Sequence, residues 1–253
     1  MLGNLWNTIF YEPLYNALFF IVNLIPGGDI GIAIIILTLI VKFVLYPLSK
    51  KSITSQVKMK ELEPEIRKIK EEHKEKSEQA KQTFALYKKY KINPMSGCLP
   101  ILIQLPIIFA LYWVFYKGLN GVAGPLYSFV SMPVYNINFL GLVDMNGHSI
   151  IIALIAGVFQ FFQAKISSPK TAPTAPSSGK PSFQDDLAKS MGWQMKYFLP
   201  VFIAFIAYKV SAAVALYWAA SNIFSVIQEL IVRRKLAKNL PTSDIGRTYV
   251  GGR

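Results

Sequence analysis

Residues Gly31 to Leu48 read GIAIIILTLIVKFVLYPL, apolar throughout except at Thr38, Lys42 and Tyr46. A run of about 18 such residues is long enough to cross a bilayer as a helix. That reading makes the chain an all-α membrane protein and makes Lys42 its most informative residue. An ammonium at the middle of a spanning helix costs about 2.5–3.5 kcal/mol on insertion scales. A chain that tolerates such a cost normally uses the charge. Snorkelling of the ammonium towards the cytoplasmic headgroups is the competing account.

The totals agree with a membrane protein. Of 253 residues, 53% are hydrophobic and 16% are charged, against about 25% charged in soluble domains. The net charge is +13, which raises the question of nucleic acid. Its distribution answers otherwise. Basic residues cluster in Lys50 to Lys91, Lys165 to Lys196 and Arg233 to Arg253, whereas Met1 to Asp29 and Gly118 to His148 hold no Lys or Arg. Such alternation is the positive-inside pattern, and it also draws the protein to anionic lipids. No specific nucleic acid is expected, with ribosomal RNA at most a secondary partner. The single Cys excludes an internal disulfide framework. Neither a signal peptide nor a transit peptide is visible, which points to a bacterial plasma membrane.

The pattern predicts ten segments. Residues 1–29 form an external amphipathic helix with Trp6, Phe10, Tyr11, Leu14, Leu18, Phe19 and Val22 at helical spacing, expected to lie on the membrane surface. Pro26-Gly27-Gly28-Asp29 punctuates the chain. A first span covers 30–48. Residues 49–93 form a cytoplasmic helical hairpin in which Pro64 starts or bends a helix. Asn93-Pro94 turns into a second span, 99–116. An external loop covers 118–148 and a third span 149–165. The Pro/Ser/Thr/Ala-rich stretch 166–194 is a flexible cytoplasmic loop. The last apolar block folds into two spans, 195–208 and 212–232, hinged at Lys209-Val210-Ser211. A cytoplasmic tail, 233–253, completes the chain. The N-terminus is then outside and the C-terminus inside.

Polar residues within spans mark the candidate site. Thr38, Lys42 and Tyr46 are four apart and share a helix face. Gln104, Gln160 and Gln163 lie in the second and third spans. In the fifth, Tyr217, Ser221, Ser225 and Gln228 make one stripe, with Trp218, Asn222 and Glu229 beside it. For any single Gln or Ser, inter-helical hydrogen bonding explains the residue. Lys42 demands more, because no acidic residue lies near the middle of a span. Either its site holds water or the amine is neutral. A wet pocket with one unpaired cation is a receptor for something anionic. The two histidines lie outside the spans, and no metal cluster, paired carboxylates, activated nucleophile or phosphate loop is present. The chain is therefore not read as an enzyme, and no catalytic residue, metal or cofactor is expected.

Asn93 to Phe109 reads NPMSGCLPILIQLPIIF and continues ALYWVF. This resembles the signature of the YidC/Oxa/Alb membrane protein insertases. The first span, the charged MKELEPEIRKIKEEHK, and Leu216-Tyr217-Trp218, Ser221-Asn222 and Ile227-Gln228 resemble that family in the same order. The likeness is to the short bacterial form, without an extra N-terminal span or a large external domain. It implies five transmembrane helices around a hydrophilic groove that opens to cytoplasm and lipid. It further implies that Lys42 occupies the place of the family's groove Arg, and that Gln104, Gln163, Trp218 and Asn222 line the same groove, to which the shared helix face adds Thr38. The expected function is to receive nascent membrane proteins in that groove and release their hydrophobic segments into lipid. Implied partners are nascent membrane proteins, with the ribosome, the Sec translocon and the signal recognition particle machinery as further candidates. A foldase working beside the Sec channel, a small-anion transporter using Lys42, and an intramembrane enzyme are the alternatives.

Overall fold

Prolines and one glycine pair decide where the helices stop. The computed structural model describes residues 5–73, 75–93, 96, 99–119, 124–167 and 193–239. Pro94, Gly97 and Cys98 of the signature, nearly all of the 166–194 loop and the tail beyond Asn239 lie outside the described residues. The described chain is mainly helical and divides into two units, 1–44 with 104–226, and 45–103 with 227–253.

In the first unit a π-helical turn, Asn7–Tyr11, leads into helix α1, Glu12–Leu24. Gly27 and Gly28 follow with positive φ, a conformation glycine adopts without a Cβ penalty. Asp29 then caps helix α2, Ile30–Val44. Its carboxylate accepts from the backbone N–H of Ile32 at 3.0 Å and of Leu140 at 2.7 Å. That pair of bonds fastens the start of α2 to a small hairpin in the 118–148 loop. Strand β1, Asn138–Phe139, pairs antiparallel with β2, Val143–Asp144. The connecting turn places Leu140 and Gly141 at positive φ.

Helix α1 and the turn before it bury an aromatic row against the protein. Tyr11, Tyr15, Leu18, Phe19 and Val22 are buried within the protein. The Tyr15 hydroxyl accepts from Gly124 N–H at 2.8 Å. Asn16 donates to the Pro125 carbonyl at 2.9 Å and accepts from Tyr127 N–H at 2.7 Å. The Lys117 ammonium lies over the rings of Tyr11 and Trp113, at 5.6 and 5.3 Å, in cation–π geometry. The aromatic row thus docks on the loop, and a second apolar strip, Leu5, Ile9, Phe20 and Leu24, is left exposed.

Helix α2 ends before the apolar run does. α2 stops at Val44, and the next helix begins at Tyr46 with Pro47 in its first turn. A proline ring clashes with the carbonyl four residues back and lacks the N–H that would continue the ladder.

Among the described residues four further helices contribute to the first unit, beginning with Leu99–Gly118 from Gln104 onward, numbered α6 because three helices of the second unit precede it in the chain. α7 is Ile150–Ser167. A π-helical turn, Gln194–Phe198, runs into α8, Leu199–Lys209. α9, Ala212–Asn239, follows a break at Val210-Ser211. The break is tied to the 118–148 loop, since Ala212 N–H donates to the Gly147 carbonyl at 2.7 Å and Ala213 N–H to Met145 at 3.0 Å. α7 and α8 approach closely at Gly157, where an added Cβ would sit 2.6 Å from the Ala204 Cβ. Small residues permit such approaches between membrane helices.

In the second unit, α3 is Tyr46–Glu61, α4 Glu63–Glu72 and α5 Lys76–Lys89. Pro64 sits in the first turn of α4, where its missing N–H costs nothing. α4 and α5 pair as a hairpin. Gln79 closes the turn by donating to the His73 carbonyl at 2.6 Å, and Tyr90 donates to Glu65 at 3.1 Å. Near the end of α9, Arg233 pairs with Glu229 at 2.7 Å, with both side chains largely buried.

By length and apolarity, α7 and the Ala212–Lys238 part of α9 can each cross a bilayer among the described residues, or three spans can if the broken pair α2 and α3 counts as one. The Leu102–Gly118 part of α6 is apolar and shorter.

Candidate functional site

Lys42 lies in the last turn of α2, not at mid-helix as the unbroken run suggested. The break after Val44 is the cause. A cation in the last turn also meets the negative end of the helix dipole, which favours it. Twelve residues separate it from Ile30 in the sequence, so it stands about 18 Å along the helix axis.

The side chain points to α9. Its ammonium donates to the Ser225 hydroxyl at 3.1 Å, and that hydroxyl donates to the Ser221 carbonyl at 2.8 Å. One residue along on each helix, Phe43 and Phe224 meet edge to face, centroids 5.2 Å apart. Among the described residues no carboxylate lies within ion-pair distance of Lys42.

The polar stripe on α9 is continuous with this pair. Tyr217 and Ser221 are buried, and Ser225 is half-buried. Gln104 of α6 donates to the Tyr217 hydroxyl. Lys42 and Gln104 thus engage one face of α9, at positions eight residues apart. A row of i, i+4, i+8 hydroxyls makes that face a hydrogen-bonding wall in a helix otherwise rich in Ala and Val.

The other expected residues are placed differently. Thr38 is buried and donates to the Ile34 carbonyl of its own helix at 2.6 Å. Asn222 is buried, and its amide donates to the Ala156 carbonyl of α7 at 3.1 Å. Its amide donor is therefore engaged in joining α7 to α9. Gln163 and Trp218 are both half-buried. Ser225 stood in the sequence as one member of the stripe, but nothing local marked it as the partner of Lys42. The Tyr217–Gln104 bond was equally invisible.

Comparison with known proteins agrees with this architecture. A family model described as 60Kd inner membrane protein matches residues 21–239. A protein of Clostridium tetani (strain Massachusetts / E88) named membrane protein insertase YidC is 32% identical over 220 residues, covering 87% of this chain and 88% of that protein. One of the same name from Pelagibacter ubique (strain HTCC1062) is 33% identical over 243 residues, covering 91% of this chain and 40% of the relative. The chain thus spans well under half the length of that longer relative, as it does of one from Caulobacter vibrioides (strain NA1000 / CB15N), of which it covers 38%. The structure titled "Active YidC insertase crystal structure with the first transmembrane domain resolved" shares the fold, with a TM-score of 0.54 at 24% identity over 88% of this chain and 45% of that one. The chain belongs to the 60Kd inner membrane protein family.

Proposed function

We propose that this chain is a membrane protein insertase of the bacterial inner membrane, not an enzyme. It receives nascent membrane proteins in a wet groove walled by α2, α6, α7 and α9 and passes their hydrophobic segments into lipid. The observation that carries this reading is the Lys42 ammonium held against the hydroxyl stripe of α9, with no carboxylate partner among the described residues. Such a site attracts a carboxylate. A nascent protein whose short external tail is acidic supplies one.

α2, α6, α7, α8 and α9 are the proposed spans, with the N-terminus outside and the C-terminus inside. α2 has 15 residues and so measures about 22 Å, less than a hydrocarbon core of about 30 Å. Short spans thin the bilayer around them. A thinner core and a polar wall together lower the barrier that an acidic tail crosses. The hydrophobic segment that follows, about 20 apolar residues long, then leaves sideways into lipid and needs no nucleotide. Gln163 and Trp218 complete the proposed groove lining, with Thr38 and Asn222 behind it.

The test is insertion by the purified protein in liposomes without nucleotide. A single-span client with an acidic N-terminal tail should become protected from added protease well above the level in protein-free liposomes. Equal protection in the two preparations would contradict the proposal.

A further inference from the structure

Lysine is a demanding choice for a groove cation. Its ammonium is a compact, strongly hydrated charge on a flexible stem, whereas a guanidinium is a planar, pre-organised fork. A free lysine in the last turn of a spanning helix swings towards headgroups and water. Lys42 does not. Its ammonium is docked on Ser225 at 3.1 Å.

The hydroxyl of Ser225 is oriented for that task. Serine has one O–H to donate and two lone pairs. The Ser225 proton goes to the Ser221 carbonyl at 2.8 Å, so the oxygen faces Lys42 as an acceptor only. A backbone oxygen has two lone pairs, so this carbonyl can accept from Ser225 as well as from the helix ladder. Two consequences follow. Ser225 cannot itself donate to an incoming carboxylate. Lys42, with three N–H bonds and one spent on Ser225, keeps two for the client.

The surrounding packing fixes the same two turns. Phe43 and Phe224 flank the polar pair on their respective helices and meet edge to face at 5.2 Å. Phe43 is itself 63% exposed, so this aromatic pair stands at the surface beside the cation. α2 and α9 are thereby held in one register, and the acceptor stands opposite the ammonium.

We infer that Ser225 is the positioning residue for Lys42: it holds the ammonium on the α9 wall, so that the groove's cation meets an acidic client tail instead of snorkelling. This rests on the insertase reading above. Ser225 touches the cation and not the client.

The experiment uses the full chain in liposomes and one client in two forms, with an acidic or a neutral external tail. The readout is the ratio of acidic-tailed to neutral-tailed insertion. Ser225→Ala should lower that ratio about tenfold, the scale of one hydrogen bond to a charged group. Ser225→Thr, which keeps the acceptor and the bond to residue 221, should restore it. In a Lys42→Ala background, Ser225→Ala should change the ratio no further, because its effect passes through the ammonium. An unchanged ratio in Ser225→Ala while Lys42→Ala lowers it would overturn the positioning role alone. So would a further loss in the double variant, or an equal fall for both clients, which marks a packing role. No effect of Lys42→Ala on the ratio would overturn the groove-cation reading and this inference together.

Discussion

Lys42→Ala is expected to lose most insertion of acidic-tailed clients, by a factor of about 5–30, the range that 1–2 kcal/mol represents. The estimate starts from Coulomb's law. A pair 4 Å apart at an effective dielectric of about 20 is worth about 4 kcal/mol. Desolvating the client carboxylate and the two N–H bonds of Lys42 that face it consumes a large part of this. Lys42→Arg should retain activity, since it keeps the charge. Lys42→Glu should fall below Lys42→Ala, because it repels the tail as well as removing the attraction. Clients with neutral tails should be far less sensitive across the series. Protease protection in liposomes at matched protein levels reads all four. Equal insertion of acidic-tailed clients by Lys42→Ala and the unmodified protein would show the cation to be a bystander.

The second large effect is structural. Gly157→Val should destabilise the α7–α8 pair. A Cβ at 157 meets the Ala204 Cβ at 2.6 Å and the Pro200 carbonyl at 3.3 Å. Neither can retreat, since one is a rigid methyl and the other is backbone. Overpacking of this kind costs about 1–3 kcal/mol, and a branched side chain adds two further methyls. The melting temperature in detergent should drop clearly, with loss of a monodisperse species. Gly147→Ala is the control, because its Cβ would have ordinary contacts, the shortest 3.4 Å to the Asp144 carbonyl. Equal melting of Gly157→Val and the unmodified protein would show that α7 and α8 do not rely on close approach.

Much of this was legible in the sequence, and the reasons differ by element. The apolar runs and the Lys/Arg alternation announce a membrane protein because both are long-window signals. Pro64 opens α4 by a local rule, since the first helical turn accommodates a proline, whereas the 49–93 stretch expected as two helices holds parts of three, α3, α4 and α5. Lys42 stood out because a cation inside an apolar run is costly. It stands in the last turn of α2 and not at its middle, since the helix ends at Val44, before the apolar run itself ends. Ser225 was visible as part of a stripe, but its pairing with a residue 183 positions away depends on the register of two helices. No local pattern encodes that register. Asn222 reads as a groove residue by type, yet its amide is engaged by the Ala156 carbonyl. The β1–β2 hairpin has two residues in each strand, too few for a period-2 signal. The docked face of α1 was hidden for a different reason. Tyr11, Tyr15 and Phe19 are equally good membrane-surface residues, and only the loop that accepts Tyr15 and Asn16 decides between the two fates.

On the proposed function, the tail of a nascent membrane protein passes along the Lys42 wall. The most direct measurement places a photo-crosslinking side chain at position 163, and separately at position 218, and stalls an acidic-tailed client on the ribosome during insertion. Crosslinks are expected from both positions to the client's external tail and first hydrophobic residues, weakened when Lys42→Ala is added. The absence of client crosslinks at both positions, in a protein that still inserts the released client, would contradict the proposed function.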